Sequence, residues 1–150
     1  MDETGISAFE TTVHKTNAWL GELMQTLETS DRQRAYRALS TTLHALRDHL
    51  PLHQVIEVSA HLPTLIRGLY FEGWNPTMSA RPLRTLDAFL TPIHEAFRDQ
   101  HVSYAERAAR AVFKLLADKF NEGEVDKLKQ VLPAAVRALW PEPRATERGD

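Results

Sequence analysis

The chain has no cysteine among its 150 residues, and this absence excludes disulfides, thiol catalysis and zinc sites built on thiolates. It also has no excess of charge of one sign. Because 18 basic residues stand against 20 acidic ones, the net charge gives no reason to expect binding to nucleic acid or to an acidic membrane. No apolar run approaches the roughly 18 residues of a membrane span. The first residues, Met1 to Gly5, are acidic where a secretory signal would be basic and then apolar, so we expect a cytoplasmic protein.

Motifs for catalysis are missing in the same way. No Gly-rich phosphate loop occurs, and no strand-to-helix elbow with flanking glycines is available to carry a serine nucleophile. Carboxylates such as Glu57, Asp87 and Asp126 are spaced singly, whereas general acid–base catalysis needs two groups in different environments inside a cleft. The sequence therefore indicates no catalytic residues and no cofactor. It leaves an enzymatic activity open but favours its absence.

The sequence does contain apolar residues at every third or fourth position. No stretch alternates between apolar and polar residues as a β-strand does. This periodicity predicts an all-α protein. A first long helix is expected over 7–27, with one apolar face made of Ile6, Phe9, Val13, Thr16, Leu20, Leu23, Met24 and Leu27. A capping box of Ser30 and Gln33 begins the second long helix, and Pro51 ends it.

Two short helices complete the first half, one over about 52–61 and one from Pro63 to about Phe71, with Pro63 expected at the first helical position. A connector follows at 72–82, where a glycine and two prolines occur within eleven residues. We expect 143–150, which carry no large apolar side chain, to form a flexible tail.

After the connector the same order returns. A helix begins near Leu86, and a second capping box of Ser103 and Glu106 opens a long helix. The pair Asn121 and Glu124 caps a short helix, and Pro133 starts a last one that ends at Trp140. The second half is therefore expected to repeat the pattern of long, long, short and short helices.

The two halves also match in sequence. Residues 62–70 align with 132–140 at a constant offset of 70, and 34–39 align with 107–112 at an offset of 73. Ahead of these, 8–14 echo 88–94 at an offset of 80. We therefore predict two pseudo-symmetric four-helix repeats, at about 6–71 and 83–141. Four helices in so short a unit cannot bury their apolar faces alone, so the repeats are expected to pack into one helical bundle, a single domain of 1–142.

Three stretches resemble one known family. They are the run from Leu62-Pro63 to Asn75-Pro76, the Arg-Ala-Tyr-Arg-Ala-Leu helix before it, and the closing run from Leu132-Pro133 to Trp140-Pro141. Together they resemble the bacterial family called domain of unknown function 2267, over about 6–141. The resemblance implies a bacterial, all-helical, cytoplasmic domain. It implies no catalytic or binding residues, because none is established for the family.

Histidines offer the remaining candidates for a metal site. His14 and His94 occupy related places, each beside a residue of an apolar face, while His49 and His53 lie four apart with Pro51 between them. Because Pro51 breaks the helix that would align that pair, and no Glu-x-x-His motif is present, we predict no metal ligands. Histidines at helix ends commonly serve the backbone carbonyls and the helix dipole instead.

Arginines recur in related places: Arg34 and Arg37 with Arg107 and Arg110, and Arg67 with Arg137. Arginine suits phosphates and interfaces, but acids balance the bases overall, so we favour intramolecular roles for all six. Arg67 and Arg137 are expected in the last turn of their helices, where a cation is favourable.

Four residues lie off the apolar stripes and are candidates to contact a partner: Trp74, Arg81, Arg84 and Trp140. Arg81 and Arg84 are the arginines most expected to be exposed, because they fall in or next to the connector. The two tryptophans have an alternative role that we favour, which is to fasten the connector and the last helix to the core.

For function, the sequence favours a non-catalytic module that acts by protein contact or self-association, with a possible role in bacterial stress. The alternative is a small-molecule or metal-binding protein with its site between the two repeats. Binding to nucleic acid or membrane is not expected. Light scattering and bound-ligand analysis of the purified chain separate the first two hypotheses, and a steep loss of oligonucleotide affinity with salt would reveal the nucleic-acid binding.

Overall fold

A computed structural model of the chain describes residues 5–77 and 85–142, and within these two ranges every regular element is a helix. The elements are α1 (Ser7–Leu27), α2 (Arg32–Asp48), α3 (Leu52–Ser59), α4 (Thr64–Phe71), α5 (Leu86–Ala96), α6 (Tyr104–Lys119), α7 (Glu122–Val131) and α8 (Ala134–Arg137). The all-α prediction is confirmed. The end of the connector and the predicted tail at 143–150 lie outside the described residues.

The helix starts show which capping predictions were correct. At α7 the Asn121 side chain accepts the Glu124 N–H at 2.8 Å and the Glu124 carboxylate accepts the Asn121 N–H at 3.0 Å, so the predicted capping box is confirmed. At α2 the prediction was wrong by one residue. Asp31, not Ser30, is the N-cap, and its carboxylate accepts the N–H groups of Gln33 and Arg34.

The second predicted box, at α6, was also wrong. The Ser103 hydroxyl makes no capping hydrogen bond and instead lies 2.9 Å from His101 Nδ1, which also accepts the Ser103 N–H. Because this local turn holds the serine in a right-handed helical conformation, its side chain does not reach the free N–H groups of α6.

Prolines mark three helix starts at the N-cap. Pro51, Pro63 and Pro133 precede α3, α4 and α8, and each has a φ that is close to −60° and an extended ψ. Pro63 and Pro133 thus lie one residue before the position expected for them. Pro92 lies inside α5, the helix predicted to begin near Leu86.

A single hydrophobic core draws on both halves of the sequence. Helix α1 packs on α2, α4 and α6, while α5 packs on α6, α8 and α2, so each half contributes to burying the other's apolar faces. The α2 face is buried as predicted, at Ala35, Ala38, Leu39, Thr42, Leu43, Leu46 and Leu50. The α6 face is too, at Tyr104, Ala108, Ala111, Val112, Leu115, Leu116 and Phe120.

The apolar face predicted for α1 is correct only in its C-terminal half. Leu20, Leu23 and Leu27 are buried, whereas Ile6, Phe9 and Val13 expose 57%, 68% and 48% of their surface. Helix α4 meets the N-terminal half of α1 at Thr12, whose hydroxyl accepts the Leu65 N–H, but Ile6, Phe9 and Val13 lie on a side that remains exposed.

Burial does not follow the sequence match at an offset of 80. That match pairs the exposed Phe9 and Val13 with Phe89 and Ile93, which are both fully buried. The buried residues nearest the ends of the two helices are instead Leu23 and Leu27 in α1 and Ile93 and Phe97 in α5, again about 70 apart.

Pseudo-symmetry of the two halves stays a prediction, and one local motif supports it. Arg67 Nε–H donates to the Ser59 carbonyl at 2.9 Å and its Nη2–H donates to the Leu62 carbonyl at 3.1 Å. Seventy residues later, Arg137 makes the same two bonds to the Lys129 and Leu132 carbonyls at 2.7 and 2.9 Å. Each arginine therefore fastens the end of one short helix to the next. Arg67 lies in the middle of α4 rather than in the last turn as predicted.

Candidate interaction groove

An apolar groove of about 580 Å³ is formed by the first half alone. We call it the α4 groove. It is lined by Thr16 and Leu20 from α1, Tyr36 and Leu39 from α2, Leu65, Ile66, Gly68, Leu69 and Phe71 from α4, and Glu72 beyond α4. A volume of this size lies within the range of sites that bind drug-sized molecules or protein side chains.

Hydrogen bonds fix α4 in place as one wall of the groove. The Leu65 N–H donates to Thr12 Oγ1 on α1 at 2.8 Å. At the other end of α4, a ring nitrogen of His44 on α2 donates to the Leu69 carbonyl at 2.8 Å. Because a carbonyl only accepts, the proton of this histidine lies on Nε2. The groove is therefore a formed feature whose walls are tied at both ends of α4.

Arg47 of α2 forms hydrogen bonds with the end of α4. It is buried, and its Nη1 donates to the carbonyls of Tyr70 and Glu72 at 3.0 and 2.8 Å while its Nε donates to Asp48 at 2.9 Å. The Tyr70 hydroxyl donates to the Val55 carbonyl at 2.8 Å, and burial raises the pKa of that hydroxyl above its ordinary value. Tyr70 therefore stays neutral and joins α4 to α3.

Next to the groove, α1 presents a second apolar feature, which we call the α1 ridge: Ile6, Phe9 and Val13. These residues are spaced by three and four, and the spacing continues through Thr16 and Leu20 into the groove. Such spacing keeps all five side chains on one side of the helix. Ridge and groove therefore form one continuous apolar surface.

The lining of this surface is mostly apolar. Among the described residues, Glu72 is the only carboxylate that lines the groove, and Tyr36 contributes a phenol. General acid–base catalysis needs two ionisable groups held in different environments, and this lining does not supply them. Among the residues that the structure describes, no cluster of three or more histidine, cysteine, aspartate or glutamate side chains could hold a metal ion.

A second cavity, of about 290 Å³, lies between α3 and α7 and is lined from both halves. His61 Nε2 lies 3.0 Å from a Glu124 carboxylate oxygen, and the Lys127 ammonium lies 3.9 Å from Glu57. Glu57 and Lys127 are aligned residues in the sequence match at an offset of 70, so here matched positions of the two halves face each other. This α3–α7 cleft is where a site shared by both repeats would lie.

Of the four candidate partner residues, the structure describes only the two tryptophans. Trp140 is only 4% exposed and its ring stacks on Phe113 with centroids 4.3 Å apart, and half-buried Trp74 packs on Phe71 at 5.2 Å. Both tryptophans thus fasten their segments to the core, as the favoured alternative has it. Arg81 and Arg84 lie outside the described residues. Partner contact by these four stays a prediction.

The recurring arginines have partners within the chain. Arg34 and Arg107 lie over the Tyr104 ring, with their guanidinium carbons 5.5 and 5.9 Å from its centroid. Arg37 lies 5.5 Å from the Phe97 centroid in the same way, and Arg110 pairs with Glu106 at 2.9 Å. Arg34 and Arg37 thus join α2 to Tyr104 of α6 and to Phe97 after α5, whereas these contacts of Arg107 and Arg110 lie within α6.

The histidines do not converge. His14 is exposed whereas His94 is half-buried, and His53 is exposed on α3. His49 Nδ1 donates to the Ala45 carbonyl at 2.7 Å, and its ring packs edge-on against Phe89. This is the carbonyl-binding role expected of a histidine at a helix end.

The sequence reasoning missed the groove and the ridge. The signal that could have revealed them was the change of offset from 70 to 80 at α1. Ten extra residues in α1 mean nearly three helical turns that have no counterpart in α5, the matching helix of the second half.

A family model described as an uncharacterized conserved protein, DUF2267, matches residues 16–139. No curated protein matches the chain. Within 5–77 and 85–142, no helix combines the length and the apolar character needed to cross a membrane.

Proposed function

The chain belongs to the uncharacterized conserved protein family DUF2267, and from that premise we propose that it is a non-catalytic interaction module whose α4 groove binds an apolar helix of a protein partner. A partner helix would place its leucines or similar side chains along the groove. Such recognition depends on side chains at every third or fourth position, which is the spacing of one helix face.

The observation that carries this proposal is the continuity of exposed apolar side chains around a formed recess. Tyr36 and Leu65 on the groove rim expose 44% and 46% of their surface, and Phe9 on the ridge exposes 68%. A monomeric protein seldom leaves so large a contiguous apolar patch in water, and such patches typically mark binding surfaces. The near absence of charge in the lining favours an apolar partner over a nucleic acid.

Gly68 offers the sharpest test of the groove. A Cβ atom added at this position would meet nothing within 4 Å, so we expect Gly68→Leu to place its side chain in the groove and leave the fold intact. We expect a labelled synthetic amphipathic helix, with leucines on one face, to bind the unaltered chain saturably in fluorescence anisotropy. Gly68→Leu should weaken that binding by at least about tenfold, because roughly 1.4 kcal/mol of lost contact is a factor of ten.

Gly21→Leu is the matched control, because it makes the same change on a helix where a side chain also has free space, outside the groove. It should bind the synthetic helix as the unaltered chain does. A scrambled peptide with its leucines distributed around the helix should not bind. Equal binding of the peptide by the Gly68→Leu and Gly21→Leu chains would contradict the proposal.

A second candidate function is small-molecule or metal binding at the α3–α7 cleft. The observation in its favour is the His61–Glu124 pair, which places an imidazole and a carboxylate in a cavity lined from both halves. Native mass spectrometry of the purified chain separates the two functions. A stoichiometric bound mass that is lost in His61→Ala would favour the cleft.

We also propose that the module works in the bacterial cytoplasm, in a stress setting. The bacterial and cytoplasmic parts of this proposal are what membership of the family implies, and the stress setting is the context we propose for the protein contact. This proposal is tested by fractionating cells that express the chain and by measuring its abundance under stress.

A further inference from the structure

We propose that the α1 ridge binds the same ridge of a second copy of this chain, packed antiparallel about a two-fold axis. Phe9 of each copy would lie against the partner's Val13. The inference rests on the proposed function, because it takes protein contact as the role of this surface and names the partner. It concerns the ridge that leads into the α4 groove, a surface that the interior of the fold leaves uncovered.

The spacing of the ridge is the first argument. Residues 6, 9, 13, 16, 20, 23 and 27 follow alternating steps of three and four along the whole of α1, which is the repeat by which two helices pack side by side. The core covers this row of side chains from Leu20 onward and leaves Ile6, Phe9 and Val13 exposed. In an antiparallel pair the first seven residues of the row in one copy face the first seven in the other. Ile6 then reaches the partner's Thr16 at the mouth of its groove.

Area is the second argument. The exposed parts of Ile6, Phe9, Val13, Tyr36 and Leu65 amount to on the order of 500 Å² per copy, so a symmetric pair would bury on the order of 1,000 Å² in total. That is the lower bound for a specific interface, and it predicts a dimer of modest affinity. A two-fold contact also needs one surface that is complementary to itself. The α1 ridge is a straight row of apolar side chains, so it can pack against a second copy of itself.

The third argument excludes other parts of the chain as the cover. Residues 143–150 contain no large apolar side chain, and 1–4 contain one, Met1. Residues 78–84 carry Met78 and Leu83 among arginines, a proline and small residues, five apart and so not on one helix face. None of these segments offers three apolar side chains at the helical spacing that the ridge presents. A second copy does.

Light scattering coupled to size exclusion tests the proposal over a range of concentrations. We expect the mass of the full chain to rise from 17.1 kDa toward twice that value. The double variant Phe9→Glu/Val13→Glu should remain at the monomer mass, because it places two carboxylates in an apolar contact. Both residues are largely exposed in the single copy, so the melting temperature at low concentration should be unchanged.

Thr11→Glu/Ala18→Glu is the matched control, since it adds the same charge to exposed positions on the opposite side of α1. It should still dimerise. Loss of the dimer in this control but not in Phe9→Glu/Val13→Glu, or a dimer that both variants retain, would overturn the proposal.

Cysteine cross-linking tests the antiparallel geometry. Because the chain has no natural cysteine, only the introduced cysteines can form a disulfide. Mixing a Phe9→Cys chain with a Val13→Cys chain under oxidation should give a disulfide-linked dimer in higher yield than mixing Thr11→Cys with Val13→Cys. Equal yields would overturn the antiparallel arrangement.

The result also separates this inference from the function on which it rests. A chain that binds the synthetic helix but stays at 17.1 kDa at all concentrations overturns the self-association alone. A chain that neither binds the helix nor dimerises overturns both.

Discussion

Single side chains decide how the groove is held, and Arg47 is the clearest case. A buried guanidinium is tolerated because it is hydrogen-bonded to two carbonyls at the end of α4 and to Asp48 on its own helix. No feature of the sequence distinguishes Arg47 from the other twelve arginines, since its role depends on carbonyls that lie more than twenty residues away. Neighbours of this kind cannot be predicted from local pattern.

Arg47→Met should lower the free energy of unfolding by about 2–4 kcal/mol, because the Tyr70 and Glu72 carbonyls would lose their donor in a buried place. Arg37→Met on the same helix is the control and should change it by less than about 1 kcal/mol, since Arg37 is exposed and contacts only the Phe97 ring. Urea denaturation measures both. Similar losses for the two variants would mean that the buried hydrogen bonds of Arg47 contribute little.

Helices were the elements that the sequence predicted best. The bounds of α1 and the end of α4 agree with the prediction, and so do the buried faces of α2 and α6, because a repeat of three and four reports amphipathicity directly. The ridge on α1 shows the limit of that signal. Periodicity states that a helix has an apolar face, but only the lengths and positions of the other helices determine whether that face is covered.

Helices α2 and α6 pack on each other, and each buries small residues in the core. Ala38 is fully buried and Ala111 is 4% exposed. Ala38→Asp or Ala111→Asp should each lower the free energy of unfolding by several kcal/mol, roughly 3–5, because an unpaired carboxylate would be buried. Ala18→Asp on the exposed side of α1 is the control and should have little effect. A melting temperature unchanged by both core variants would contradict the packing of these helices.

At the scale of the whole molecule, helices of the first half pack directly on helices of the second half. α1 of the first half contacts α6 of the second, and α5 of the second contacts α2 of the first. Lys119 on α6 adds a polar link to α1, with its ammonium 2.7 Å from Glu22 and 5.9 Å from the centroid of the Trp19 ring. Because helices of both halves contribute to one hydrophobic core, we continue to predict a single domain.

The whole chain should therefore unfold in one transition, and tryptophan fluorescence can report on each half. In a variant that retains only Trp19, in α1, or only Trp140, after α8, the urea transition followed by fluorescence should coincide with the one followed by circular dichroism on the same variant. Adding Leu23→Ala, which removes a fully buried side chain of the first half, should lower both midpoints equally and reduce the free energy of unfolding by about 2–5 kcal/mol. If Leu23→Ala shifted the Trp19 signal and left the Trp140 signal unchanged, the halves would be separate domains. The shared core would then be a contact between two units that fold on their own.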